Sequence, residues 1–196
     1  ALMDSRLKVT KKVLKETDGI LEFCFEIENT SEEEVWLKEL ELYHADSLKE
    51  MGVTEENGLF FRSGRHKNDM PSVAVFGRFD DCMKDAIGAM SETGDRKADD
   101  ESIRTVVSDH LTIIGNESGY CVLAFMKGRD QMFRTEIAVN EKAEFVSLSS
   151  VAEFGIYLRP GEKTETEVLH IEHTKDAIDA IERFASDKAK RYGSRN

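Results

Sequence analysis

The sequence predicts an all-β protein, a two-sheet sandwich of roughly ten short strands followed by one C-terminal α-helix. Three observations predict it. Short apolar stretches bounded by turn residues recur at hairpin spacing along most of the 196 residues. Residues 21–28, LEFCFEIE, alternate Leu21, Phe23, Phe25 and Ile27 with Glu22, Cys24, Glu26 and Glu28, the period of a strand with one wet face. From Ile178 onward the period changes to three and four, through Ile181, Ala185, Ala189 and Tyr192, until Gly193 stops it.

Taken in order, residues 6–16 form the first expected strand, with Leu7, Val9 and Val13 spaced among lysines. Thr17, Asp18 and Gly19 supply the turn chemistry that folds it back on 21–28 as a hairpin. Residues 35–43, VWLKELELY, read as a third strand whose apolar phase slips between Leu37 and Leu40, a slip that a β-bulge accommodates. Shorter strands are expected at 58–62 and 72–77, and 80–90 reads as a helical turn or an irregular excursion. Residues 91–102, SETGDRKADDES, carry no large apolar side chain and read as a charged surface loop. Strands are expected again at 103–114, 120–126, 132–139, 143–148, 153–158 and 164–171, with turns at 115–119 and 159–162. Thr174 is the expected helix cap. Asp176 then falls in the first turn and Lys188, Lys190 and Arg191 in the last, each sign suiting its end of the helix dipole.

Composition excludes several functions. Apolar residues make up 40% and charged residues 34%, which is too much hydrophobicity for a disordered chain. The formal charge is −12, and the basic residues form no face or run, so no nucleic-acid partner is expected. No run approaches the roughly 18 apolar residues of a membrane span, and no signal core is visible. The expectation is a cytoplasmic protein with no membrane partner. Cys24, Cys82 and Cys121 are too few and too far apart for a disulfide framework or a zinc site, and they read as reduced, mostly packed thiols.

The chemistry-bearing residues point to no complete catalytic centre. A Ser-His-Asp set could draw on His66 or His110, but no GxSxG elbow presents a nucleophile. His170 and Glu172 share one strand face and His173 the other, so a metal lacks a third ligand, and these read as exposed strand-end histidines. Glu22, Glu26 and Glu28 read as a solvated face. No phosphate-cradling glycine pattern precedes a helix, so no cofactor and no metal is expected. The densest polar stretch is 62–72, RSGRHKNDMPS. There Arg62, Arg65, His66, Lys67, Asn68 and Asp69 offer the donors and acceptors that read sugar hydroxyls or a carboxylate.

The order of four segments, LFFRSGRHKNDMPS, VSDHLTIIGNESGYCVLAFM, FGIYLRPGEKTETEVLHIE and DAIDAIERFASDKAKRYG, resembles the N-terminal domain of family 36 glycoside hydrolases, the bacterial α-galactosidases or melibiases. The resemblance implies a β-supersandwich of galactose mutarotase-like type over 1–173. It also implies a helix or linker over 174–196 leading to a (β/α)8 barrel that lies beyond Asn196. The barrel of the same polypeptide is then the partner, an α-galactoside or related sugar is the substrate, and the two catalytic aspartates belong to the barrel. The parent protein is thus expected to be a glycoside hydrolase. This chain alone is expected to be an inactive domain that supports the barrel and lends Arg65, His66, Lys67, Asn68 and Asp69 to its substrate rim. Lys67-Asn68-Asp69 imitates the family's Lys-aromatic-Asp nucleophile pattern, but it precedes the connecting helix and lacks the aromatic. Relatives carry tryptophans in the corresponding loop, whereas the only tryptophan here is Trp36. The alternatives are a stand-alone carbohydrate-binding module, which needs exposed aromatics, and a structural sandwich that forms a homo-oligomer.

Overall fold

The computed structural model describes residues 5–54, 58–64, 70–88, 102–126 and 132–193. Within them lie twelve strands, two α-helices and one 3-10 turn. Strands β1 (Leu7–Thr17) and β2 (Ile20–Asn29) form the expected hairpin. Its turn needs glycine: Gly19 has φ +77°, and a Cβ there would lie 2.8 Å from the carbonyl oxygen of His173. The chain continues through β3 (Val35–Ala45), the 3-10 turn Leu48–Met51, β4 (Leu59–Arg62), β5 (Ser72–Val75) and helix α1 (Asp81–Gly88). Then follow β6 (Arg104–Ser108), β7 (Leu111–Asn116), β8 (Gly119–Phe125), β9 (Met132–Val139), β10 (Phe145–Leu158), β11 (Lys163–Glu165), β12 (Leu169–Thr174) and helix α2 (Ala177–Tyr192).

The strands make two antiparallel sheets. The large one runs β1-β2-β12-β8-β7-β4-β5, with β11 also paired to β2, and the small one runs β3-β10-β9-β6. The core fills the space between them. Phe23, Ile114, Leu123, Phe125 and Ile171 of the large sheet meet Leu42, Phe133, Ile137, Leu148 and Ala152 of the small one. Phe125 stacks on Phe133 across the gap at 4.1 Å. The other face of the large sheet is also covered. Ile113 and Val122 pack with Ala180, and Ala124 and Met126 with Phe184 of α2. Burial on both faces explains why YCVLAFM is continuously apolar instead of alternating. None of the described helices is long and apolar enough to cross a membrane.

Several expectations are corrected or sharpened, those on the strands for long-range reasons and those on the helices for local ones. Residues 103–114 are two strands in different sheets, because the chain crosses over at Asp109 and His110, and His110 sits at φ +53°. The two strands expected within 143–158 are one, β10. It stays continuous by taking up irregularities between Ser150 and Val151 and between Glu153 and Ile156. Residues 164–171 are split the other way. β11 and β12 both pair with β2, and between them Thr166 Oγ1 accepts the Phe25 N–H at 2.9 Å. Residues 80–90 contain helix α1, whose Met83 N–H donates to Asp80 Oδ1. The cap of α2 is Asp176, whose carboxylate accepts the N–H groups of Ile178 and Asp179 at 2.9 and 3.1 Å. Thr174 acts one step earlier by accepting the N–H of Asp176. Of the 91–102 loop, only Ser102 lies among the described residues.

One fully buried amide holds the far end of the sandwich. Asn29 Nδ2 donates to the carbonyls of Glu33 (2.7 Å) and Leu158 (2.8 Å), while its Oδ1 accepts from the N–H and hydroxyl of Ser31. It therefore ties the end of β2 to the start of β3 and the end of β10. Replacing Asn29 with alanine takes a donor from the Glu33 and Leu158 carbonyls and the acceptor from the Ser31 N–H, and is expected to lower stability by about 2–4 kcal/mol in urea unfolding.

Candidate functional site

The polar stretch 62–72 leaves and re-enters the large sheet between β4 and β5, where Arg62 lies opposite Ser72. Arg62 is itself buried, at 3% exposure, which removes it from the set of ligand donors. Its guanidinium spreads three ways: Nε to Ser72 Oγ (3.0 Å), Nη2 to the Met70 carbonyl (3.1 Å) and Nη1 to the Val107 carbonyl (3.2 Å). A rigid planar fork thereby clamps both ends of the loop to β6. Ser63 and Ser108 complete the base. The Ser63 N–H donates to Ser108 Oγ at 3.0 Å, Ser108 donates to the Leu111 carbonyl at 2.8 Å, and Ser63 Oγ accepts the Leu111 N–H at 3.3 Å. Both hydroxyls are thus committed to backbone, and Ser108 has no proton to hand to a histidine. The Ser-His-Asp reading finds no support at this point.

The same crossover sets Asp109 and His110 beside the loop base. Asp109 is buried and its N–H donates to the Ser63 carbonyl, while His110 is exposed with its ring edge against Phe133 at 5.1 Å. A non-glycine residue in the left-handed region stores strain, which structures retain where position matters. Sequence reasoning named His110 only as a possible triad member. The signal it missed was the Asp109-His110 pair between two strands of opposite sheets. Arg65, His66, Lys67, Asn68 and Asp69 lie outside the described residues.

A second constellation is sealed. Glu22 and His170, expected at the surface, are buried at 0% and 2% exposure beneath α2. His170 Nδ1 lies 3.0 Å from Glu22 Oε1, and Nε2 lies 3.3 Å from Glu172 Oε2. From α2, Arg183 donates to Glu172 Oε1 from Nη2 at 2.5 Å and from Nε at 3.2 Å. Arg191 Nη1 sits 2.7 Å from Glu22 Oε2, as an ion pair without hydrogen-bond alignment. The hydrogen bond to Glu172 holds the Arg183 guanidinium firmly in its charged form. This set carries an imidazole between carboxylates, as an acid–base centre would, yet Phe184 and the helix close it from solvent. It seats α2 on the sheet.

Elsewhere, a groove of about 660 Å³ is lined by Lys12, Cys24, Glu153, Thr164, Glu165 and Tyr192, among others. Lys12 spans it from Glu26 (2.7 Å) to Glu165 (2.5 Å). Burial pushes the Cys24 thiol up and lifts Cys121 to about 12. Cys24 and Cys121 are packed as expected of most of the thiols, and Cys82 is exposed on α1. No group of three or more His, Cys, Asp or Glu residues among the described ones is arranged to hold a metal ion.

Comparison with solved structures finds a likeness to a protein from Klebsiella pneumoniae subsp. pneumoniae provisionally designated an aldose 1-epimerase. The likeness has a TM-score of 0.53 at 9% sequence identity, and it covers all of this chain and 53% of that one. The chain therefore spans about half the length of that neighbour and shares its sandwich fold, the galactose mutarotase-like one. No family model matches the sequence, and no curated protein matches it.

Two outcomes follow from the geometry. Arg62→Met is expected to cost roughly 3 kcal/mol or more, since the carbonyls of Val107 and Met70 lose their donor, and to speed amide exchange at Ser63 and Leu111. In native protein a thiol-specific colorimetric reagent should titrate Cys82 alone. Cys24 and Cys121 should react only after unfolding, because the thiolate is the reactive form and burial suppresses it.

Proposed function

We propose that the chain is the N-terminal, non-catalytic β-supersandwich of an α-galactosidase-like glycoside hydrolase, packing on a catalytic barrel of the same polypeptide and lending the 62–72 loop to its substrate rim. The observation that carries this reading is the base of that loop. A buried arginine and two serines with committed hydroxyls fix both ends of a segment whose sequence is rich in sugar-reading groups. Rigid anchorage is what a positioning loop needs, since misplacement by about 1 Å is enough to weaken a site held from outside. His110, exposed at the same base and held in a strained backbone, is a further candidate for the rim. The described imidazole–carboxylate set lies sealed under α2, in keeping with a supporting and not a catalytic domain. The structural neighbour's designation as an aldose 1-epimerase supports a sugar-directed role for the same sandwich. Glycoside hydrolysis requires paired carboxylates flanking the scissile bond, and on this reading the barrel supplies them.

The test uses the chain alone and the chain with its downstream coding region. The chain alone should leave an aryl α-galactoside intact, and the longer protein should hydrolyse it. In the longer protein, Arg65→Ala and Asp69→Ala should raise KM several-fold with kcat little changed, as for a group that contributes uniform binding. Hydrolysis by the isolated chain that Asp69→Asn abolishes, or a downstream region that encodes no barrel, would sink the proposal.

A further inference from the structure

The outer face of the small sheet carries charges along most of its length. Arg134, 5% exposed, is surrounded by Glu39, Glu136 and Glu153. Farther along, His44 bridges Asp46, Glu41 and Ser149. Against this background two large aromatics stand out near the start of β3 and the end of β10. Trp36 and Tyr157 are directly opposed in register, with ring centroids 4.7 Å apart and planes inclined at 54°. Trp36 is 49% exposed and Tyr157 63%, although aromatic residues of this size usually hide most of their surface. The backbone is shaped around them. At the irregularity between Glu153 and Ile156, Gly155 adopts φ +61°, and a Cβ there would sit 3.9 Å from Trp36 Cη2. The indole edge thus lies over bare backbone, which holds the ring in place and leaves much of it free.

We propose that Trp36 and Tyr157 form a sugar-stacking platform that binds a pyranose ring of a glycan on the outer face of the small sheet. Three observations select this occupant. The inclined rings form a shallow apolar notch of about the size of one sugar's C–H face, and rigid aromatics lose little conformational entropy on contact. The rim is polar and uncommitted enough to meet hydroxyls. Lys38 is exposed two residues along from Trp36, and at the strand ends Glu34 (59% exposed) and Arg159 (81%) are only loosely paired at 3.8 Å. The apolar surface is also too small for a protein partner, since a stable interface buries roughly 800 Å² per side around an apolar core and here the charges of Glu34, Lys38 and Arg159 begin two residues from the pair. A nucleic-acid base, which also stacks on aromatics, is disfavoured because the phosphates that accompany it meet a net charge of −12. The platform belongs to the small sheet and the 62–72 loop to the large one, so the proposal stands apart from the rim reading and shares with it only the class of ligand.

Because Trp36 is the only tryptophan of the chain, its emission reports on this site alone. Galactose, raffinose and maltohexaose are titrated separately into the chain while tryptophan fluorescence is followed. A saturable change with at least one sugar is expected. Tyr157→Phe should preserve it and Tyr157→Ala should weaken the affinity about tenfold. Both substitutions sit at a largely exposed position, and a circular dichroism melt verifies that each variant is folded. A response to galactose or raffinose supports the platform together with the α-galactoside reading. A response to maltohexaose alone supports the platform and counts against that reading. No response to any of the three sugars, or an equal response in Tyr157→Ala, overturns the platform and leaves the rim loop to be judged by KM. Emission that shifts with protein concentration alone also overturns it, because a second copy would then be covering the rings.

Discussion

A sheet that is apolar on both faces needs a partner on each side, and this requirement organises the whole molecule. On one side the partner is the small sheet. On the other it is α2, whose Ala180 and Phe184 cover Ile113, Val122, Ala124 and Met126. Burial of that many side chains contributes several kcal/mol, at roughly 25 cal/mol per Å² of apolar surface. Apolar contact alone would let a helix slide. The register is set by Glu22, His170 and Glu172 below and Arg183 and Arg191 above, groups that are costly to separate once desolvated. Removing one of the buried members, Glu22, His170 or Glu172, typically costs about 3–5 kcal/mol, although the intact set adds little net stability over an apolar replacement. Its value is positional.

The two outer faces of the sandwich are therefore unlike. The large sheet turns apolar residues of β7 and β8 outward beneath α2, while its β1–β2 end carries the part-exposed Lys12, Glu26 and Lys163. The small sheet turns charges outward and has no covering element among the described residues. Arg134 shows how that face is built: burial opposes its charge, and the hydrogen bonds and fields of Glu136, Glu153 and Glu39 more than offset the burial. His44, more exposed, is raised mainly by its hydrogen bond to Asp46. Trp36 and Tyr157 break this polar pattern, and the left-handed backbone of Gly155 beneath them leaves room for the indole. Departures of this kind, where a local preference is overridden without a packing reason, are where function is best sought.

Several features of the fold and site were legible along the chain. The first hairpin, the amphipathic last helix and the sandwich class follow from period and turn chemistry, which act over a few residues. The breaks were not legible. Residues 103–114 look like one apolar run, yet Ser108 closes one sheet and Leu111 opens the other, a change visible only when the strands' partners are known. The loop 62–72 was recognisable as a polar concentration. That Arg62 is its internal clamp, instead of one more donor for a ligand, depends on carbonyls at Met70 and Val107, the latter far along the chain.

The alternation in LEFCFEIE determined which side chains of β2 face the core, because pleating leaves no other arrangement. It could not say what lies against the opposite face. Glu26, held by Lys12 and Lys163, remains part-exposed, while Glu22, four residues earlier on the same face, is fully buried. That difference is made by α2, more than 150 residues later, coming to rest over one end of the strand and not the other. Sequence by itself set the period, the turns and the caps, which are local. Tertiary structure alone decided which polar residues became buried network, which became loop clamp and which stayed free to meet a ligand, since desolvation depends on neighbours that no local pattern contains.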